Sequence, residues 1–381
     1  MCYTSPELVR QVAQDARDYY DGKATGRDQG IFWNPTLPNL FPVEPMDNSS
    51  FCRCERCQAF FKKEKGGQRS AFSTGAHSDY FFQFVNAVAK ELNKTHPGKG
   101  LVTLAYATHA ERPGFALDPS VAVQFCFAAN RSPASEEYRH ELQLLKDWAE
   151  EGVGRKLYLW LYYTFPVESA NNGKYRCFPG FFAHAVGEQF RLFHRYGLRG
   201  MFHCGYGQEV ESYVTFRLMD DPTRGVDALL DEYFGRLYGA AAGPMKELYL
   251  GIERTYCDPN LRPKERVSGP ELSWGRLGTA KRMAEFERIL ERAKGLARTD
   301  GERRSIALFE RGVWSYMDSG RKAYVARKQA PIPSVKVPRV AAAGGDPSRV
   351  PWEKAEALGG PWFDRGGSEP SKRAFGGRVA H

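Results

Sequence analysis

Leu40-Phe-Pro-Val-Glu-Pro-Met-Asp-Asn-Ser-Ser-Phe-Cys-Arg-Cys-Glu-Arg-Cys57 is an apolar run that ends abruptly in Asp47 and Asn48, followed by two serines and three closely spaced cysteines. Read as a buried strand, Leu40 to Met46 sets Asp47 and Asn48 at its C-terminal end, where α/β barrels carry their catalytic side chains. Asp47 is therefore the first catalytic candidate, with Asn48 beside it as a substrate-binding neighbour. The competing account is an ordinary turn or cap, because Asp, Asn and Ser dominate such places.

Around this stretch the chain alternates between two periodicities. Upstream, Ser5 and Pro6 open an amphipathic helix to Tyr20 with Leu8, Val9, Val12, Ala13 and Ala16 on one face. Downstream, the pattern predicts a helix over 79–94, strands over 101–108 and 121–127, and a helix over 135–151. A strand over 156–163, so apolar that it reads as buried on both faces, then precedes a helix over 179–196 and a strand over 198–204. Alternation of strand and helix through five strands indicates parallel α/β units. Five strands do not close a barrel of eight, so over residues 1–258 the pattern leaves an α/β fold that is either an open sheet or a partial TIM (β/α)8-type barrel of about five units, and the resemblance given below favours the second. A helical extension is expected over 259–328, and over 329–381 a Pro-rich linker and the beginning of another module, where Pro338-Arg-Val and Pro351-Trp-Glu-Lys-Ala resemble the start of a β-sandwich carbohydrate-binding module.

Composition narrows the partners. With 381 residues, 42% hydrophobic and 26% charged, the chain is long enough to bury a substantial core. The net charge of +9 comes from 54 Lys and Arg scattered among 45 Asp and Glu. It is unaccompanied by helix-turn-helix, RNP or zinc-finger spacing, so no nucleic-acid partner is expected. No segment approaches the roughly 20 apolar residues of a membrane span, and no membrane partner is expected. Met-Cys-Tyr-Thr-Ser-Pro-Glu lacks the basic start and apolar core of a signal peptide. Secretion or a periplasmic location is expected only if the protein starts further upstream.

A second carboxylate follows the last strand: Glu209, with Glu211, comes after Gly-Tyr-Gly at 205–207. Strand-end loops of one sheet converge on one face, so Glu209 is expected to approach Asp47 and supply the paired carboxylates that glycosidic cleavage requires. The alternative is a solvated helix start, where the dipole favours Glu; Glu111 and Glu168 are weaker candidates of the same kind. Tyr106, His109, Tyr163, His203 and Tyr206 fall near the same strand ends and are expected to line a sugar-binding rim, against the plain reading of strand aromatics as core. Cys52-x-Cys54-x-x-Cys57 has metal-like spacing, with His77 or Cys2 as a fourth ligand. No second closing pair accompanies it, so structural thiols are favoured over zinc or a disulfide, and no metal is assigned.

Several segments together resemble a known family: Met46-Asp-Asn-Ser-Ser-Phe-Cys-Arg-Cys-Glu-Arg-Cys-Gln, Ser78-Asp-Tyr-Phe-Phe-Gln-Phe-Val-Asn-Ala-Val-Ala-Lys, Leu104-Ala-Tyr-Ala, and Asp231-Glu-Tyr-Phe-Gly-Arg-Leu-Tyr-Gly-Ala-Ala. The family was first catalogued as a domain of unknown function in bacterial glycoside hydrolases, often following a domain similar to the α-glucuronidase N-terminal domain. The resemblance runs from Cys2 to about Asp258. It implies a TIM-barrel glycoside hydrolase, related to endo-β-N-acetylglucosaminidases that act on complex N-glycans without a cofactor. In such enzymes the substrate's acetamido oxygen attacks the anomeric carbon. Carried onto this chain, Asp47 orients the acetamide, Asn48 neighbours it, and Glu209 is the acid candidate. The implied partner is a glycan or glycoprotein. The resemblance also implies that three barrel units are missing before Met1 and that the appended module is cut short. A fragment, a split protein, or a non-catalytic carbohydrate-binding protein of the same fold is the alternative to a working hydrolase.

Overall fold

The computed structural model describes residues 1–23, 39–45, 47, 50–61, 72–129, 131–151, 154–163, 175–204, 209–263 and 267–329. The chain divides into two compact units, Met1–Phe165 with Gly180–Tyr233, and Pro166–Pro179 with Phe234–His381. The carbohydrate-binding module expected over 329–381 lies, beyond Gln329, outside the described residues.

The first unit is α/β: a curled five-stranded parallel sheet, half a barrel, with helices against it. Its strands are β1 (Leu40–Pro42), β2 (Gly100–Ala105), β3 (Val121–Phe127), β4 (Leu157–Tyr162) and β5 (Met201–Cys204). They stand side by side in sequence order, each paired in parallel with the next. That progression is consistent with part of a barrel and lacks the reversal of strand order at the switch point of a doubly wound sheet. The helices of this unit include α1 (Pro6–Tyr20), α2 (Glu55–Gln58), α3 (Ser78–Asn93), α4 (Glu136–Ala149), α5 (Ala183–Arg195) and α6 (Glu209–Asp220).

Period-two alternation gives the sheet two unlike faces. Phe41, Leu101, Thr103, Ala105, Val123, Phe125, Phe127, Leu159 and Leu161 are buried, on the face covered by helices. Tyr19 of α1 touches Phe41, and Tyr138 of α4 and Phe193 of α5 touch Phe127. The inner face carries Val102, Ala122, Gln124, Cys126, Tyr158, Trp160, Tyr162 and Phe202, aligned across the strands by the register. Leu40, Val102 and Ala122 cluster there with Tyr158 packed on them. Burial falls along this face: Ala122, Gln124 and Cys126 are buried, Tyr158, Trp160 and Tyr162 half-buried, and Phe202 is 42% exposed. The expectation that 156–163 is buried on both faces therefore holds on one face only, because the inner side of an open curl is incompletely covered.

Local chemistry fixes the ends. Ser5 caps α1, its Oγ accepting from Leu8 N at 3.3 Å, and Pro6 occupies the first helical position. At the other end of α1, the Tyr20 hydroxyl donates to Gly100 O at 2.6 Å and Asn39 O at 3.0 Å, tying the helix to the starts of β1 and β2. α3 buries ten of its side chains, among them Tyr80, Phe81, Phe82, Phe84, Val85, Val88 and Leu92. α5 ends where Gly197 adopts φ +63°, its N–H bonding His194 O while Leu198 N bonds Phe193 O. That cap consumes Leu198, so β5 starts three residues later than the sequence pattern suggests. The helix predicted from 179 begins at Ala183 instead, because Phe182 N donates to the Glu211 carboxylate at 2.8 Å.

The second unit is helical: Ala242–Cys257, Ala280–Leu296, Asp300–Phe309 and Ser315–Gln329, with wide π-type turns at Glu271–Leu277 and Glu310–Trp314. Within the helical extension expected over 259–328, the second of these turns separates Asp300–Phe309 from Ser315–Gln329, and there the Ser315 hydroxyl donates to Glu310 O at 2.9 Å. Trp274, 1% exposed, donates from Nε1 to Arg176 O and stacks edge-on to Phe178.

Gly100 marks the closest approach in the sheet. A Cβ there would lie 2.7 Å from both the Leu40 side chain and the Ser120 carbonyl oxygen, and the backbone oxygen has no rotamer to yield with. Gly100→Ala is expected to destabilise the first unit by about 1–3 kcal/mol through overpacking. The urea midpoint of the variant should fall with the m-value unchanged.

Candidate functional site

Val43 N donates to Val102 O at 2.8 Å, carrying the β1–β2 ladder one residue past Pro42 and aiming the chain toward Asp47. β2 delivers Tyr106 alongside. There the backbone turns sharply: Ala107 has φ +47°, a left-handed conformation that costs a side chain about 1–2 kcal/mol. The turn is held by Thr74 N to Ala107 O at 2.8 Å, His77 N to Thr108 O at 2.8 Å, and Ala110 N to Thr74 O at 2.9 Å. Strained backbone of this kind concentrates at functional sites. Between the two strand ends lies a cavity of about 240 Å³ whose walls include Tyr3, Asp47, Phe51, Tyr80, Tyr106 and His109.

Burial and charge act together on these groups. Burial, and next the Asp47 carboxylate beside it, push the Tyr106 phenol up to about 12. Further along the inner face the Cys126 thiol and Tyr162 hydroxyl are hydrogen-bonding neighbours, and burial pushes both well above their ordinary range. The negative charges of Glu44, Glu141 and Asp47 raise Cys126 further. Glu44 is exposed, yet desolvation by the surrounding chain lifts its pKa. Glu141 is buried behind the end of β3, accepting from Ala128 N at 2.8 Å and the Ser73 hydroxyl at 3.1 Å, with Arg131 at 3.8 Å. Its bonds are those of a structural brace.

The structure gathers Asp47, Tyr106 and His109 about one cavity. Asn48, Tyr206 and Glu168 lie outside the described residues. Glu209 is the first residue of α6, exposed, and accepts from the Tyr233 hydroxyl at 3.3 Å. It follows β5 at the edge of the sheet opposite β1, four strand steps of about 4.8 Å away along the sheet, and does not line the cavity. Tyr163 and His203 belong to the helix-facing side. Tyr163 is fully buried, 4.2 Å from the His203 ring and 5.4 Å from Phe182, and accepts from the Thr215 hydroxyl at 3.2 Å. His203 is 9% exposed, with Phe216 of α6 at 6.2 Å. Both side chains serve packing between sheet and helices. Glu111 is half-buried beside Gly75, and its carbonyl accepts from the Ser78 hydroxyl at 2.7 Å.

Sequence reasoning missed Glu44, Cys126 and Tyr162. Their shared parity with Tyr158 and Trp160 was the available signal, but which parity faces inward depends on where the helices pack. Behind the cavity, Cys2 joins Cys52, Cys54 and Cys57, all four sulfurs lying within 4.8 Å of one another. The sequence offers His77 or Cys2 as a fourth ligand and favours structural thiols because no second closing pair follows; of the two, Cys2 is the one that joins the cluster.

These features define an α/β half-barrel protein with a carboxylate-bearing aromatic cavity at the end of its first strand. The chain belongs to the family catalogued as a domain of unknown function, DUF4838, which matches residues 32–251, more than half of its length. No curated protein matches it. Among the described residues no helix is long and apolar enough to cross a membrane.

His109 supplies a test of the cavity floor. It is 6% exposed, packed on Phe81 at 4.7 Å, and its Nε2 has no hydrogen-bond partner among the described residues. Burial, assisted by His77, lowers its pKa from 6.5 to about 3. The unfolded chain thus takes up a proton that the folded chain refuses, so this contribution to stability is full above about pH 6.5 and is lost as pH falls toward 3. Between pH 7 and pH 5 the loss from this one group is about 2 kcal/mol. Urea unfolding at the two pH values should show a smaller loss for His109→Phe than for the parent.

Proposed function

We propose that the chain is a glycoside hydrolase acting on N-acetylglucosamine-containing glycans, built on part of a (β/α)8-type barrel, and that the Asp47 cavity is its sugar site. The observation that carries this reading is the position of Asp47: β1 ends at Pro42 rather than at the expected Met46, and Asp47, exposed, follows five residues beyond its C-terminal end in a cavity walled by Tyr3, Phe51, Tyr80 and Tyr106. Aromatic faces accept the C–H surfaces of a sugar ring, and the carboxylate accepts hydrogen bonds from its polar edge. A volume of about 240 Å³ is below the roughly 300–1,000 Å³ of larger ligand sites. It suits one sugar ring, with the rest of a chain extending outward.

The chemistry that fits is acetamido-assisted cleavage. The 2-acetamido oxygen attacks the anomeric carbon as the glycosidic bond breaks, and the ring intermediate so formed is opened by water. Asp47 accepts the acetamide N–H, holding the oxygen in line and stabilising the positive charge that develops on the amide. A protonated carboxylic acid gives its proton to the leaving oxygen, then takes one from the attacking water. Neither Glu44 nor Glu209 lines the cavity; Glu44 is preferred for that second role because it lies three residues before Asp47 and desolvation raises its pKa, as a proton donor requires. No cofactor enters this scheme.

The test is release of glycan from a glycoprotein carrying complex N-glycans, followed by mass spectrometry. Asp47→Asn is expected to slow release by on the order of 100-fold or more while glycan binding persists. Glu44→Gln should depress activity strongly toward poor leaving groups and much less toward an activated aryl glycoside, with Glu209→Gln closer to the parent. Binding without release by the parent chain under any of these conditions contradicts hydrolysis and supports a non-catalytic carbohydrate-binding protein.

A further inference from the structure

We infer that Cys2, Cys52, Cys54 and Cys57 form a tetrathiolate zinc site that fastens the N-terminal segment to the segment carrying Asp47. The four Sγ atoms lie within 4.8 Å of one another, with Cys2 at 3.6 Å from Cys57 and 3.9 Å from Cys54. A tetrahedral zinc ion with Zn–S bonds of about 2.3 Å requires sulfur–sulfur edges of about 3.8 Å. Four sulfurs binding four separate irons of a cluster would stand further apart, so the arrangement fits a single ion.

The backbone is shaped for the same purpose. Cys54 caps the four-residue α2, Glu55–Gln58, and Cys57 N and Gln58 N both turn back to Cys54 O at 3.0 Å. The N–H of Cys54 lies beside the Cys52 sulfur, and the N–H of Cys57, bonded to Cys54 O, lies beside the Cys54 sulfur. Amide donors aimed at sulfur stabilise coordinated thiolates and orient them. The Thr4 hydroxyl lies 3.2 Å from the Cys57 sulfur and 3.4 Å from that of Cys2, a further donor from outside the ligand set. Around them Phe51 stacks on His77 at 4.0 Å, and Tyr80 meets Tyr3 at 5.2 Å and Phe61 at 5.0 Å, giving the site an aromatic shell.

All four positions are protein sulfurs, leaving none for water or substrate, so the ion is structural rather than catalytic. Its reach explains what it does for the cavity. Tyr3 adjoins Cys2, and Ser50 and Phe51 adjoin Cys52, and all three line the cavity with Asp47. Binding releases the thiol protons and closes a loop of 50 residues between Cys2 and Cys52. This site stands apart from the hydrolase reading, and its test needs no substrate.

The experiment is metal analysis of the full chain expressed with zinc and gel-filtered, with free thiols counted after denaturation. Zinc near one per chain is expected, and near one in Cys257→Ser. Cys2→Ser and Cys54→Ser should lose most of it. Cobalt exchanged into the parent should give the intense visible bands of a tetrahedral tetrathiolate, absent from the same two variants. Should those variants fail to fold, the parent's stoichiometry and cobalt spectrum decide alone. A folded metal-free parent, a mass four hydrogens lighter from two disulfides, or iron in place of zinc would overturn the assignment.

Discussion

The three-residue ladder of Leu40–Pro42 on Gly100–Val102 is the contact on which the site depends. β1 is short and lies at the edge of the sheet, so three pairs and one extra bond from Val43 fix where Asp47 emerges. Everything around that ladder reinforces it. Gly100 lets β1 and β3 close on β2 without a side chain between them. Tyr20 clamps the strand starts from α1, and α1 packs on α3 through Ala13 and Ala16, which have no exposed surface. A shift of one residue in this ladder would exchange the two faces of β1.

The same alternation that makes the core also separates two chemistries. The helix-facing side takes apolar residues and the well-bonded polar ones, such as Tyr163 on Thr215. The inner side gathers groups whose ionisation burial suppresses: Tyr106, Cys126 and Tyr162. Asp47 itself is exposed at the mouth of this side, so a bound sugar would have to cover its carboxylate for their interaction to be strong. Strain at Ala107 and the unpartnered Nε2 of His109 sit in the same wall, so the local departures from good packing fall where a ligand would go.

Much of this was legible in the sequence. Five parallel strands and the helices Pro6–Tyr20 and Ser78–Asn93 follow from periodicity and caps because those signals are local. Asp47, Tyr106 and His109 were readable as strand-end residues for the same reason. Tyr163 and His203 were misplaced because strand-end position fixes height along the barrel, whereas parity relative to the helices fixes the face. Glu209 satisfied the height rule too, yet β5 lies four strands from β1. The four-thiol cluster was half visible: the spacing of Cys52, Cys54 and Cys57 is local, but the approach of Cys2 depends on α1 and α3 bringing the N-terminus back across 50 residues of chain.

The central claim is that the cavity between Asp47 and Tyr106 receives an N-acetylglucosamine residue. The most direct measurement is a crystal structure of the full chain with a chitooligosaccharide or an acetamido-derived transition-state analogue at saturating concentration. The account predicts one sugar ring against Tyr106 with its acetamide nitrogen within hydrogen-bonding distance of the Asp47 carboxylate. Sugar bound elsewhere on the chain, with this cavity vacant at saturation, would contradict it.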